Sequence, residues 1–212
     1  MIPWHTLNLA LHIGFGGAAV ALGTYMLVRR ADDDEHAYLG RWFLLCIAAL
    51  VLTAALSLAV FRDMPQFVLL SVLACYPLLS GCRSAWAKEG PQFVDALLAA
   101  VAVAMIVLVL PDLWSAGTDD AWLPAPVLGL IAVLPVLAYD SVRWLLPRPW
   151  FGRGWRYEHI CKLVVGLSAL SGALASSMPT GGSPTAQLLL ALGGMSLAAI
   201  LCVRAFRREH SS

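Results

Sequence analysis

Seven apolar stretches, each close to the length that crosses a bilayer, constrain this chain more than any other feature of its sequence. A hydrocarbon core of about 30 Å needs about 20 apolar residues in a helix. The stretches cover residues 7–28, 40–61, 67–86, 96–113, 125–146, 160–176 and 186–205. Pro, Gly and charged residues are concentrated between them, as expected for helix ends. We therefore predict a single all-α domain over residues 1–212, a polytopic transmembrane bundle of about seven helices.

The composition agrees with this prediction and excludes several other classes of protein. Of 212 residues, 60% are hydrophobic and 13% are charged, against roughly 25% charged in an average soluble domain. Lipid is therefore the expected solvent and partner, because a soluble domain of this size would not bury so much apolar surface. No charged tail indicates nucleic-acid binding. The five cysteines have no CxxC spacing, so neither a disulfide framework nor a thiolate zinc site is predicted.

The basic residues predict the orientation of the bundle through the positive-inside rule. With seven spans, every Lys and Arg of the chain except Arg62 falls on one side. That side holds Arg29, Arg30, Arg41, Arg83, Lys88, Arg143, Arg148, Arg153, Arg156, Lys162, Arg204, Arg207 and Arg208. We therefore expect an outer N-terminus and a cytoplasmic C-terminus in a bacterial inner membrane. The N-terminus lacks the basic segment of a signal peptide, so the first apolar stretch is expected to remain as a helix.

The first helix has a stripe of polar and small residues along one face. Helical spacing places these residues on that face: His5, Asn8, His12, Gly16, Ala19 and Gly23. Small residues let a neighbouring helix approach closely, so His12 is expected to point inward. Two roles remain open for His12: a hydrogen bond that fixes a helix contact, or a metal ligand or proton relay near His5 at the outer side.

Two more histidines open helices on the predicted cytoplasmic side. Glu35-His36 precedes the second span and Glu158-His159 precedes the sixth. The acidic residues fit helix capping and the positive end of the helix dipole. Gly40 and Gly166 are expected to leave bare backbone near these imidazoles. We therefore predict that His36 and His159 are the axial ligands of a b-type haem. Alternatively, they bind a transition metal together with carboxylates.

Charged side chains at the same level are candidate cofactor-binding residues. They are Arg41, Arg83, Asp140, Arg143 and Lys162. The cations would stabilise haem propionates, a quinone head group or lipid phosphate, although positive-inside topology alone also predicts them. Asp140 either pairs locally with Arg143 three residues later or has a functional role. His12 lies about sixteen residues, roughly 24 Å, from the inner end of its helix, so it would not share a metal with His36 and His159.

A series of short motifs carries a family resemblance. LHIGFGGAAVALG, EHAYLGRWFLL, YPLLSGCRS, YDSVRW and YEHICKLVVGLSAL follow one another between residues 9 and 176. In this order they resemble a widespread family of uncharacterised bacterial multi-pass membrane proteins. The matching positions are His12, His36, Gly40, Tyr76, Gly81, Arg83, Asp140, Arg143 and His159. Members of that family often have H-x-x-R-M where this chain has His159 followed by Ile-Cys-Lys-Leu, and the resemblance implies a fold without an activity.

Three functional classes follow from these features. The first is a haem- or metal-binding membrane protein with an electron-transfer role through His36 and His159. The second is a small-molecule or proton-coupled transporter in which His12 and Asp140 line an interior path. The third is a structural or assembly subunit that associates with a membrane-protein partner or with copies of itself. No serine-nucleophile motif, HExxH pair or phosphate-binding glycine loop indicates a hydrolase.

Overall fold

The computed structural model describes residues 4–28, 33–61, 65–116, 125–176 and 184–209. These residues form seven α-helices and no strand, which confirms the all-α class for this part of the chain. The helices are α1 (Trp4–Val28), α2 (Asp33–Leu56), α3 (Pro65–Trp86), α4 (Phe93–Ala116), α5 (Ala125–Val142), α6 (Arg148–Ser176) and α7 (Pro184–Glu209). Arg29, Arg30 and Arg62, used above for orientation, lie outside the described residues.

Four helical segments among the described residues are long and apolar enough to cross a membrane. They are Trp4–Val28, Asp34–Leu56, Phe93–Pro111 and Gly154–Ala175, and Leu192–Arg204 is a shorter apolar segment. Many large apolar side chains on these helices are exposed, as are several tryptophans near the helix ends. This surface fits contact with lipid hydrocarbon and with the interfacial layer. The chain thus has the character of a multi-pass membrane protein.

Helices α3 and α6 form the centre of the bundle and pack most extensively against each other. Glycine allows their close approach at two places. A Cβ atom at Gly81 would lie 3.0 Å from Lys162 Cβ, and one at Gly166 would lie 2.6 Å from Leu78 Cγ. One apolar core lies between α3, α4 and α5, and a second joins α3 and α6 to α1 and α2. The closeness of α3 and α6 brings their polar side chains together.

Several helices differ from the predicted spans at their ends. Helix α2 begins at Asp33 and α6 begins at Arg148, well before residues 40 and 160 where the apolar stretches begin. Pro149 occupies the first turn of α6, where a missing N–H costs nothing. Helix α2 continues as a π-helical segment, Ser57–Phe61, and α5 ends in a 3-10 turn, Arg143–Leu145. The early start of α6 places Glu158 in the interior of the helix.

Candidate functional site at the basic end of the bundle

One end of the bundle gathers most of the predicted site residues. Helices α1, α3 and α5 end here and α2, α4 and α6 begin here, so we call it the basic end after its Lys and Arg residues. Arg83 Nε of α3 lies 3.0 Å from Asp95 Oδ1 of α4, which joins two of these helix ends. A buried polar cluster lies on one side of α6, and a histidine pair beside a cavity lies on the other.

The buried polar cluster occupies the space between α3, α5 and α6. It contains two acids, two cations, two serines and two tyrosines: Tyr76, Ser80, Ser84, Tyr139, Asp140, Arg143, Glu158 and Lys162. Tyr76, Ser80 and Ser84 recur at every fourth residue, so they share one face of α3. Glu158 and Lys162 have the same spacing on α6. The two faces meet where Gly81 lets the helices approach.

Lys162 is the central cation of the cluster. Its Nζ lies 2.5 Å from Asp140 Oδ1 and donates a hydrogen bond to Ser80 Oγ at 2.9 Å. Asp140 Oδ2 accepts hydrogen bonds from the hydroxyls of Tyr76 at 2.6 Å and Ser80 at 2.8 Å. The side chains of Lys162 and Asp140 are only 2% and 9% exposed. The Asp140 carboxylate is therefore neutralised by one cation and oriented by two hydroxyls.

Glu158 is the second carboxylate of the cluster. Its Oε1 accepts a hydrogen bond from Tyr139 at 2.6 Å, and its Oε2 accepts one from Ser84 at 3.0 Å. Arg143 Nη2 lies 2.9 Å from Glu158 Oε2 as an ion pair, but its N–H groups are not well directed. Arg143 Nε and Nη2 have no hydrogen-bond acceptor among the described residues, although the guanidinium is buried. The local pairing of Asp140 with Arg143 is replaced by pairing across helices.

The formal charges in the cluster cancel. Two carboxylates face two cations, and their side chains are 2% to 9% exposed. Burying an isolated charge is expensive, whereas paired opposite charges of this kind are tolerated inside a bundle. Such a cluster holds α3, α5 and α6 in one arrangement. It also joins two carboxylates to four hydroxyls by hydrogen bonds, which is an arrangement that can carry a proton.

The histidine pair lies on the opposite side of α6. The ring centres of His36 and His159 are 6.3 Å apart, with 67° between the ring planes. Both rings line a cavity of about 460 Å³ between α1, α2, α6 and α7. The rest of its lining is apolar except for Arg204 near the end of α7. The volume falls in the range of small-molecule and cofactor sites, about 300 to 1,000 Å³.

The separation of the two ring centres is close to that expected for two imidazoles on opposite sides of one metal atom. His159 Nδ1 lies 2.9 Å from the carbonyl oxygen of Gly81. A carbonyl only accepts, so Nδ1 donates and the neutral ring leaves Nε2 without a proton, as in many metal-ligating histidines. A metal–nitrogen bond is about 2.0 Å and the ring centre lies about 1.1 Å behind the nitrogen, so opposed rings have centres roughly 6 Å apart.

The glycines near these histidines have different surroundings. A Cβ atom at Gly40 would meet only Met26 Cε at 3.8 Å, so backbone near His36 is accessible, as predicted. The space at Gly166 is instead filled by Leu78 of α3. The prediction that Gly166 leaves bare backbone for a ligand is therefore wrong. Gly166 permits contact between α3 and α6.

His12 belongs to a separate polar contact between α1 and α2. Its Nδ1 lies 2.9 Å from Thr53 Oγ1, while Asn8 Nδ2 donates to the Thr53 carbonyl at 3.1 Å and to Ser57 Oγ at 2.7 Å. Asn8, Gly16 and Ala19 are buried, which confirms the predicted inward face of α1. His12 also lines a cavity of about 40 Å³, enough for water. The geometry agrees with the helix-fixing role of His12.

The remaining predicted cations are dispersed. Arg83 pairs with Asp95 and donates to Gln92 Oε1 at 2.8 Å, so it fixes the turn between α3 and α4. Arg41 is exposed on α2. In the described part of the chain, no group of three or more His, Cys, Asp or Glu residues has the arrangement of a metal site. Among the described side chains, the histidine pair therefore belongs to no such group.

Four members of the buried polar cluster were missed as site residues from the sequence. The predicted site does not include Ser80, Ser84 or Tyr139, and the position of Glu158 before the apolar stretch suggests only capping. The regular spacing of Tyr76, Ser80 and Ser84 is a usable signal, because a polar stripe inside a membrane helix predicts a polar partner. The i, i+4 spacing of Glu158 and Lys162 is another. These residues connect the predicted Asp140 and Arg143.

Comparison with known proteins does not extend these observations. No protein-family model, no curated protein and no solved structure matches this chain.

Proposed function

We propose that the protein is a seven-span inner-membrane protein that binds b-type haem through His36 and His159 and transfers electrons. The histidine pair carries this proposal: both rings line one cavity, and the Gly81 carbonyl orients His159. Haem needs only two protein ligands, because the porphyrin supplies the other four. The pair therefore suits haem better than a bare transition-metal ion, which takes three or four protein ligands.

The cavity supplies other features that haem requires. Its walls include Met26, Phe43, Leu163 and Leu167, which give the porphyrin an apolar surface. Arg204 offers a cation for a propionate at the end where the chain has most of its basic residues. When bound, haem would supply one-electron chemistry. The residues of this chain would orient it and exclude water from its apolar edge.

The positive-inside asymmetry supports the orientation in this proposal. It assigns the N-terminus to the outside, the C-terminus to the cytoplasm, and the histidine pair to the cytoplasmic half of the membrane. An electron donor or acceptor on the cytoplasmic side would therefore reach this site. Four helical segments of the described chain are long and apolar enough to cross a membrane, which is compatible with such an arrangement.

The absorption spectrum of the purified protein tests this function. We expect protein from cells supplied with a haem precursor to show a Soret band, with sharp bands on reduction. His36→Ala and His159→Ala should each remove most of this absorbance, because one imidazole is lost from a two-ligand site. Metal analysis of the same samples distinguishes haem iron from a bare metal ion.

His12→Ala is the matched control, because it removes a membrane histidine outside the cavity. We expect it to retain the full Soret absorbance and to lower the free energy of unfolding by only about 0.6 kcal/mol, the average for a hydrogen bond within a membrane. Colourless wild-type protein without bound metal contradicts haem binding. Full haem loading of both His36→Ala and His159→Ala contradicts the assignment of these histidines as haem ligands.

A proton-coupled carrier is a second candidate, favoured by the buried polar cluster. Asp140 and Glu158 are buried carboxylates linked through Ser80, Ser84 and Lys162. Buried carboxylates in membrane proteins frequently belong to proton relays. The structure locates His12 in another contact, so the cluster supports this function without His12.

Proton flux into liposomes tests the carrier function. With a pH-sensitive dye inside and a potassium diffusion potential across the membrane, we expect wild-type protein to acidify the interior faster than empty liposomes. Asp140→Asn should abolish the difference, because an amide does not carry a proton, while Arg83→Gln at the α3–α4 turn should retain it. Equal rates for wild-type and empty liposomes contradict a proton-carrying role.

A further inference from the structure

Two cysteine thiols meet where α6 packs against α7. Cys161 Sγ lies 3.1 Å from Cys202 Sγ, although the residues are 41 positions apart in the chain. Cys202 Sγ also lies 4.0 Å from the Tyr157 carbonyl oxygen. The helices are close nearby, since a Cβ atom at Gly194 of α7 would overlap the side chain of Ser168 on α6. The contact between the thiols therefore belongs to a tightly packed helix pair.

The distance between these sulfurs is suited to disulfide formation. A disulfide bond is 2.03–2.05 Å long, so the two Sγ atoms need to approach by about 1 Å. Rotation about a Cα–Cβ bond moves a sulfur atom by a distance of this order. Both cysteines are partly accessible, whereas Cys75 is buried in the core. Their environment therefore permits both the bond and the approach of a small reagent.

The surroundings of the thiols indicate which kind of oxidant reaches them. Cys161 lies in the membrane-crossing segment Gly154–Ala175, and Cys202 lies in the apolar segment Leu192–Arg204. Charged, water-soluble thiols and disulfides lose hydration when they enter such an apolar segment, which disfavours their approach from the lipid side. A lipid-soluble quinone is able to reach them, because its ring and tail are soluble in hydrocarbon.

We propose that Cys161 and Cys202 form a reversible disulfide site that is oxidised by membrane quinone. Two S–H bonds break and one S–S bond forms, while two electrons and two protons convert one quinone to its quinol. The new bond ties α6 to α7 beside the histidine cavity, whose walls include Ile160 and Leu163 on α6 and Leu201 on α7. Reduction by a dithiol reagent restores both thiols.

Thiol mapping of the full chain in lipid vesicles tests the site. The protein is reduced, freed of reductant, exposed to a short-chain ubiquinone analogue, alkylated with a maleimide and mapped by peptide mass spectrometry. We expect a disulfide-linked pair of peptides carrying Cys161 and Cys202, the loss of two alkylated sites, and their return on reduction. Oxidation should also raise the unfolding temperature, because the bond restricts α7.

Two matched variants and one reagent complete the test. Cys161→Ser and Cys202→Ser should each prevent formation of the bond, whereas Cys82→Ser should have no effect on it. Diamide, an oxidant that joins two thiols in a disulfide, reports whether the two sulfurs are able to form a bond. Unchanged thiols with the quinone overturn the proposal, even where diamide forms the bond. A bond between other cysteines or between two chains overturns it as well. None of these readouts depends on haem.

Discussion

Lys162→Met is expected to lower the free energy of unfolding by about 3 to 5 kcal/mol, as found when one partner of a buried ion pair is removed. Lys162 Nζ lies 2.5 Å from Asp140 Oδ1 and 3.8 Å from Glu158 Oε2. Methionine fills a similar volume but supplies no charge or hydrogen bond. Asp140 would keep its hydroxyl partners Tyr76 and Ser80 and lose its cation. Equilibrium unfolding in mixed micelles measures the difference.

Two comparisons isolate the charge effect. The chain contains one other lysine, Lys88, which is exposed and lies 4.6 Å from the centre of the Trp155 ring. Lys88→Met should cost no more than about 0.5 to 1 kcal/mol, the value of an exposed cation–π contact. The double variant Asp140→Asn/Lys162→Met should recover much of the loss, because it removes the unpaired charge. Equal effects of the two lysine variants contradict a buried ion pair at Lys162.

The general character of the fold was predictable because lipid imposes it. A chain with seven apolar stretches has few ways to satisfy its backbone in hydrocarbon, and helices are the simplest. The seven apolar stretches therefore predicted the all-α class. The inward face of α1 was predictable for a similar reason, since Asn8, Gly16 and Ala19 repeat at helical spacing and are buried. Local periodicity is sufficient to predict which residues are buried when they all lie on one face of one helix.

The partners within the buried polar cluster were not predictable from local spacing. Asp140 and Arg143 are three residues apart, which suggests a pair on one helix face. Helix α5 ends at Val142 and Arg143 opens a 3-10 turn, so its side chain contacts Glu158 of α6 instead. Asp140 forms its ion pair with Lys162 of α6. The pairing depends on how α3, α5 and α6 cross, which no single segment encodes.

Glu158 shows how a boundary error changes the interpretation of a residue. The apolar stretch begins at residue 160, so Glu158 resembled a cap at the start of a helix. Helix α6 actually begins at Arg148, because the polar and aromatic residues before the apolar stretch also adopt helical structure. Glu158 therefore lies inside α6, where the backbone N–H groups are already bonded within the helix. Its carboxylate needs other partners. Tyr139, Ser84 and Arg143 are these partners.

Helices α3 and α6 couple the two groups at the basic end. Ser80 and Ser84 belong to the buried polar cluster, while the carbonyl of Gly81 between them accepts the hydrogen bond from His159. On α6, Glu158 faces the cluster and the next residue, His159, faces the cavity. A change in the separation of α3 and α6 therefore alters both groups. The glycines that set this separation are the most direct means of testing the coupling.

Gly166→Ala is expected to lower the free energy of unfolding by about 1 to 3 kcal/mol, the usual cost of overpacking a tight core. The new Cβ atom would lie 2.6 Å from Leu78 Cγ and 3.0 Å from the Ala74 carbonyl oxygen. Leu78 has little room to move because it is 1% exposed, and the carbonyl is part of the α3 backbone. The two helices must therefore separate slightly, and equilibrium unfolding in mixed micelles measures the cost.

Gly172→Ala is the matched control on the same helix, because a Cβ atom at Gly172 meets nothing within 4 Å. Alanine there should be neutral or stabilising by up to about 1 kcal/mol, since it is the better helix former.

Separation of α3 and α6 should also weaken the hydrogen bond from His159 Nδ1 to the Gly81 carbonyl. We therefore expect Gly166→Ala to shift the imidazole nitrogen signals of His159 in NMR spectra, and Gly172→Ala to leave them unchanged. Destabilisation of equal size in the two variants would mean that glycine is needed along α6 for reasons other than contact with α3. An unchanged His159 signal in a destabilised Gly166→Ala protein would separate the stability of the bundle from the geometry of the histidine pair.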